Sequence, residues 1–164
     1  MILNTGCRTD IPAYYSEWFL NRIREGFVLA RNPYRPEQVP EEALQEILRA
    51  GLYAPSGMGR QSVKLLAVQD PAAIAALERL NGGVLGSPEA HPFYGAPTVC
   101  VVLADAAAFT AVEDGSLTLG NLMNAAHSLG IASCWIHRAR EVFASAEGKA
   151  LLQQWGVEGE WIGI

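Results

Sequence analysis

Thr98-Val99-Cys100-Val101-Val102-Leu103-Ala104 is the stretch on which the fold turns. It carries no charge and is rich in β-branched side chains, so it reads as a strand covered on both faces. Such a strand needs helices above and below it. Working outward, residues 114–129 predict a long helix with small residues along it (Gly115, Gly120, Ala125, Ala126) that Gly130 closes. On the other side, residues 81–95 are rich in Gly and Pro and read as a loop, preceded by an amphipathic helix over 71–80. Residues 63–69 predict a buried strand, and residues 40–53 a helix opened by Pro40, Glu41 and Glu42, with Leu44, Ile47, Leu48 and Leu52 facing a core. Residues 131–137 read as a further strand and 142–155 as a further helix. The sequence then runs into Trp161-Ile162-Gly163-Ile164, which opens one more strand. The alternation gives an α+β sandwich of the α/β type, with a sheet between helical layers.

The bulk numbers narrow the function classes. A chain of 164 residues, 50% hydrophobic and 18% charged, fits one globular domain. A net charge of -5 repels phosphate backbones and argues against nucleic acid as a partner. No apolar run approaches the ~20 residues that span a bilayer, and residues 1–10 lack a signal pattern. The expectation is a cytoplasmic protein without membrane contact. Cys7, Cys100 and Cys134 are too scattered for a disulfide framework. Cys100 and Cys134 sit in apolar runs and read as inert thiols. His91, His127 and His137 share no ligand spacing, so no metal site is expected.

Three places can carry chemistry. Ala54-Pro55-Ser56-Gly57-Met58-Gly59-Arg60-Gln61-Ser62 joins a helix to a strand. Ser56 and Gln61 offer side-chain hydrogen bonds there, and Gly57 and Gly59 let backbone amides approach a flat ligand. An ordinary helix stop followed by a turn has the same composition. Gly130-Ile131-Ala132-Ser133-Cys134-Trp135-Ile136 is a second helix-to-strand junction, where small residues suit a stacked ring or a plain C-cap. Glu113-Asp114-Gly115 offers two carboxylates, read as capping and helix-dipole residues rather than an acid pair.

In their order along the chain, these pieces resemble the nitroreductase family of flavin enzymes. The resemblance covers residues 39–164. It is carried by Val39-Pro40-Glu41-Glu42-Ala43-Leu44, by Ala54-Pro55-Ser56-Gly57 with Gln61, and by Tyr94-Gly95-Ala96-Pro97 with the apolar strand after it. Asp114-Gly115, Asn121-Leu122, Ala125-Ala126, Ser128-Leu129-Gly130 and Ser133-Cys134-Trp135-Ile136 complete it. It implies a central mixed sheet flanked by helices, and an FMN-dependent oxidoreductase moving hydride from NAD(P)H to a small-molecule acceptor such as a nitroaromatic or a quinone. The flavin carries the hard chemistry, and no catalytic side chain is required. By position, Pro55, Ser56, Gly57 and Gln61 would contact the flavin, and backbone at Ala132 and Ser133 would face its reactive edge. The family's members are intertwined homodimers with flavin at the interface.

The chain departs from that pattern in three places. Gly59 stands where the family usually has Asn. Ala30 and Asn32 stand where an N-terminal Ser and Arg grip phosphate, with Arg31 beside them. The family's C-terminal Gly-Tyr turn and basic tail have no counterpart here, so the domain is expected to be C-terminally incomplete. Residues 1–38, with Cys7-Arg8-Thr9-Asp10-Ile11-Pro12 followed by a helix over 11–26, resemble the opening of an uncharacterised bacterial family. The expected division is an atypical N-terminal segment, 1–38, and a nitroreductase-like domain, 39–164. The alternative reading is a non-catalytic module of the same fold that has lost its flavin.

Overall fold

The computed structural model describes residues 1–4 and 34–164. The expectations for Cys7, for a helix over 11–26 and for Ala30, Arg31 and Asn32 lie outside those residues.

The sheet is built on β3 (Thr98–Asp105). All of Thr98 to Ala104 is buried, at 6% exposure or less. Its alternation divides the core in two. Val99, Val101 and Leu103 pack with Leu77 of α2 (Pro71–Leu85), Val142 and Phe143 of α4 (Ala139–Ala144), and Leu152 of α5 (Ala146–Gln154). Cys100 and Val102 turn the other way, onto Leu44 and Ile47 of α1 (Glu41–Leu52) and Leu119, Leu122 and Ala126 of α3 (Ala111–Ser128). α1 and α3 approach closely at Gly51, where a Cβ would stand 2.6 Å from the Leu122 side chain.

β2 (Val63–Val68), β1 (Ile2–Asn4), β4 (Ala132–Cys134) and β5 (Trp161–Gly163) complete the sheet in the order β2-β3-β1-β4, with β5 also on β3. Thr98 is fully buried, and its hydroxyl accepts from the Val39 amide at 3.3 Å and from Gln69 Nε2 at 3.0 Å, which ties the lead into α1 to the sheet.

The α+β layering agrees with the sequence reading, and three details differ. Every pairing among the described strands is antiparallel, where a mixed sheet was expected. The link through α2 leaves β2 at Val68 and delivers β3 at Val99, directly opposite, so it returns to the same sheet edge instead of crossing over. α2 runs on through Gly82-Gly83 to Leu85, because Asn81 is anchored inside: its side chain donates to the His137 carbonyl at 2.9 Å and accepts from Arg138 Nε at 3.0 Å. The expected last helix is two, since Ser145 is extended and its hydroxyl caps the Gly148 amide of α5 at 3.0 Å. No helix among the described residues is long and apolar enough to cross a membrane.

Candidate functional site

The first predicted segment leaves α1 at Leu52 and turns outward at Pro55. Ser56 is extended, and Gly57–Gly59 form one 3-10 turn closed by Gly59 N–H to the Ser56 carbonyl at 2.9 Å. Met58, Gly59 and Gln61 all have left-handed backbone, with φ of 53°, 66° and 51°. For Met and Gln that conformation costs roughly 1–2 kcal/mol each. It persists only where the surroundings over-determine it.

Asp114 supplies that determination. It lies on the first turn of α3 and is 3% exposed. One carboxylate oxygen accepts from the Gly57 amide at 2.8 Å. The other accepts from Ser62 Oγ at 3.1 Å and from Thr110 Oγ1 at 3.0 Å. Burial alone pushes this carboxyl up, but the bonds from Gly57, Thr110 and Ser62 outweigh it and hold the group below the ordinary carboxylate range. Both ends of the loop are therefore pinned to one ionised side chain. Gly57 fits only because it lacks a Cβ, which would collide with the Thr110 hydroxyl. Sequence reasoning took Asp114 for a dipole residue. The signal it missed is a carboxylate on the same helical stripe as Ala111, Thr118 and Leu122, all buried. A charge on a buried stripe must find partners.

What the loop presents outward is a mixture of polar and apolar groups, with Arg60 its one charged side chain. Pro55, Met58, Gly59, Arg60 and Gln61 are exposed, and Ser56 is half-buried. Ser56 Oγ accepts from the Gln61 amide at 2.8 Å and keeps its own proton to donate. Gln61 Nε2 lies 3.4 Å from the Ala54 carbonyl, a long bond that a better acceptor can replace. This donor set suits a flat heteroaromatic ring with carbonyl and ring-nitrogen edges.

The second predicted segment begins where α3 ends. Gly130 (φ 72°) donates to His127 O at 2.9 Å, and Ile131 donates to Ala126 O at 2.8 Å, a Schellman closure that launches β4. Ala132 and Ser133 are half-buried and pair with Asn4 and Leu3 of β1.

The two segments do not meet within one chain. The loop leads into Val63, opposite Ala104, whereas Ser133 lies opposite Leu3, itself opposite Thr98. Six strand steps and three strand spacings separate them, about 25 Å in all. Around the loop, Tyr53, Met58 and Phe109 are 80%, 71% and 74% exposed, and Leu117 on the outer side of α3 is 50% exposed. Among the described residues, nothing beyond its own helix lies within 4 Å of where a Cβ of Gly120 would be.

The model of the nitroreductase family matches residues 30–164. The chain belongs to the nitroreductase family. A nitroreductase with bound FMN from Bacteroides fragilis shares 30% identity and superposes with a TM-score of 0.73, over 86% of this chain and 84% of that one. A Methanothermobacter thermautotrophicus protein named as a candidate NADH dehydrogenase/NAD(P)H nitroreductase is 31% identical over 62% of this chain. An NADH dehydrogenase of Thermus thermophilus is 42% identical over 44% of this chain. The chain spans 52% and 32% of the length of these two relatives. A domain of unknown function, DUF1848, matches residues 2–50, so the two family matches overlap over 30–50. The resemblance of the first residues to a second, uncharacterised family is thereby borne out.

Proposed function

We propose that this nitroreductase-family chain binds FMN and passes hydride from NAD(P)H to a small-molecule acceptor, in a site completed by a second copy of the chain. The observation that carries the reading is the strained, exposed loop at residues 55–61, held open by Asp114. Pro55, Ser56, Gly57 and Gln61 would hold the flavin ring from one protomer, and backbone at Ala132 and Ser133 would line its edge from the other. When bound, the flavin supplies a hydride acceptor and donor, and the protein supplies orientation and electrostatics. Ser56 would offer a hydroxyl hydrogen bond to a ring acceptor, and Arg60 would add a cation to the same loop. Nitroaromatics and quinones are the proposed acceptors, because both are flat and can stack on an exposed ring.

The roughly 25 Å between the two proposed half-sites and the exposed apolar side chains around the loop and α3 support the homodimer as part of this reading. Such side chains, exposed together near a polar rim, mark an interface. The protein would work in the cytoplasm. The division at residues 38/39 is kept as part of the proposal, with the N-terminal segment in a structural role.

A second reading is a dimeric module without flavin. Ala30, Asn32 and Gly59, in place of the family's usual Ser, Arg and Asn, favour it. Each charged hydrogen bond lost to phosphate costs about 1.5–3 kcal/mol, tenfold or more in affinity.

An absorbance spectrum of the purified protein with and without added FMN, followed by gel filtration, separates the two. Flavin bands that co-elute with a dimer are expected. They should weaken in the Ser56→Ala/Gln61→Ala variant with the fold intact. A colourless dimer indifferent to FMN refutes the enzyme reading in favour of the second.

A further inference from the structure

β4 runs out through Trp135, Ile136 and His137 to Arg138, where α4 begins. Cys134 and Ile136 pack into the core, so alternation turns Ser133, Trp135 and His137 the other way. Trp135 is 45% exposed, and His137 is exposed as well. The outer side of this segment therefore leads from Ser133, past an exposed indole, to Arg138.

Arg138 is held from inside the protein. Its backbone is left-handed, with φ of 80°. Glycine takes that conformation freely and arginine does not. Asn81 of α2, itself 4% exposed, fixes it at two points: the amide nitrogen donates to the His137 carbonyl at 2.9 Å, and the amide oxygen accepts from Arg138 Nε at 3.0 Å. That takes one of the guanidinium's five N–H groups. Among the described residues, Arg49, Arg79 and Lys149 are paired with carboxylates. Arg138 and Arg140 have no described carboxylate within 4 Å, although Glu141 follows directly. The segment is a local positive patch in a chain of net charge -5. A glycine at 138 would remove the backbone strain, and Asn81 would still hold the His137 carbonyl. The fold alone therefore gives no reason for an arginine there, and strain without a structural return points to function.

A planar fork fixed in place matches phosphate oxygens two at a time. On the function proposed above, backbone at Ala132 and Ser133 faces the reactive nitrogen of the flavin's central ring. The flavin's own phosphate hangs on the ribityl chain, from the nitrogen opposite. What must come to the reactive side is the hydride donor, and five residues keep Arg138 within about 17 Å of Ser133. We infer that Arg138 binds the pyrophosphate of the dinucleotide donor, the phosphate group that NADH and NADPH share, with Asn81 as its positioning residue. The identity of the ligand rests on the proposed function; the fixed guanidinium does not.

The test uses the whole chain. Glycine and asparagine both accept left-handed backbone, so Arg138→Gly and Arg138→Asn spare the fold. ADP-ribose carries the pyrophosphate without the nicotinamide and takes no part in hydride transfer. Its dissociation constant from the native chain, read by calorimetric titration, should rise at least tenfold in both variants, as the loss of a charged hydrogen bond implies. In the FMN-loaded protein, the ratio of kcat/KM for NADH to that for N-methyl-dihydronicotinamide, a donor without phosphate, should fall by the same factor, through KM. An unchanged constant, or a native chain that does not bind ADP-ribose, overturns the inference. So does an unchanged ratio, because a merely structural role would slow both donors alike. FMN titration of the variants is read separately: a tenfold loss of FMN affinity with the ratio intact moves Arg138 to the flavin phosphate and overturns the assignment to the donor. A native chain that binds ADP-ribose through Arg138 yet ignores FMN removes the proposed function and keeps the phosphate site.

Discussion

Replacing Asp114 removes the carboxylate on which the loop at residues 55–61 depends. The side chain is 3% exposed and accepts three bonds, from Gly57, Ser62 and Thr110. In Asp114→Ala the Ser62 and Thr110 hydroxyls can rotate toward other partners, but the Gly57 amide cannot. Leaving a buried donor unpaired costs about 1–3 kcal/mol, and the bonds to a charged acceptor contribute about 1.5–3 kcal/mol each before the desolvation of the carboxylate is repaid. A net loss of about 3 kcal/mol is expected, lowering Tm by roughly 6–12 °C for a chain of this size. Asp114→Asn keeps the shape and one carbonyl acceptor for Gly57, so about 1–2 kcal/mol is expected.

The pH dependence has a definite sign. The carboxyl of Asp114 is held below its ordinary value in the fold. Its contribution is therefore present above the unfolded value, near 3.9, and is lost as pH falls through the folded value. Urea denaturation of the native chain and Asp114→Asn should give a constant gap from neutral pH down to about 5, shrinking below about 4. Equal stability at pH 7, or a gap indifferent to acid, would refute the argument that this ionised group holds the loop.

Other consequences are cheaper to check. Gly57→Ala should weaken FMN binding at least tenfold in a fluorescence titration, since its Cβ displaces Thr110, and adding Thr110→Ala should recover part of the loss. Unchanged affinity would mean that the loop adjusts freely. Burial pushes the Cys100 thiol up to about 11. It should escape alkylation in the native protein at pH 8 yet react on unfolding, as peptide mass mapping would reveal; reaction at the unfolded rate would contradict its burial. Ser145→Ala removes the cap on the Gly148 amide. About 1 kcal/mol of stability should go with it, without change in FMN affinity, and a variant as stable as the native chain would show that the split between α4 and α5 does not need the cap.

What the sequence disclosed and withheld follows from range. β3 was legible because six consecutive apolar residues, Val99 to Ala104, leave no second interpretation. α1 and α3 were legible from their stripes and from Gly130. β1 carries no such signal: three residues are too few for a period, and its partners lie about a hundred positions away. Asp114 was visible as a residue but not as a clamp, because its partner Gly57 is 57 positions distant. The loop at Ser56 and the strand at Ser133 were both singled out, yet chain order cannot say at which end of a sheet a segment emerges. That required the registers of four strands.

Their separation yields a sharper test of the proposed site than either half does alone. In a two-fold dimer, one protomer's loop meets the other's β4, and symmetry makes two such sites. Ser56→Ala/Gln61→Ala spoils the loop half, and Ser133→Pro spoils the backbone half. Either homodimer then has no intact site. A mixed dimer concentrates both defects in one site and leaves the other whole. Random pairing in equal amounts makes half the dimers mixed, so about a quarter of all sites should return. Co-expression with different tags, isolation of the doubly tagged dimer and FMN titration read this directly, and half occupancy is expected in the isolated species. No recovery there, with both parents folded and dimeric, would sink the shared site and leave each chain to bind flavin by itself or not at all.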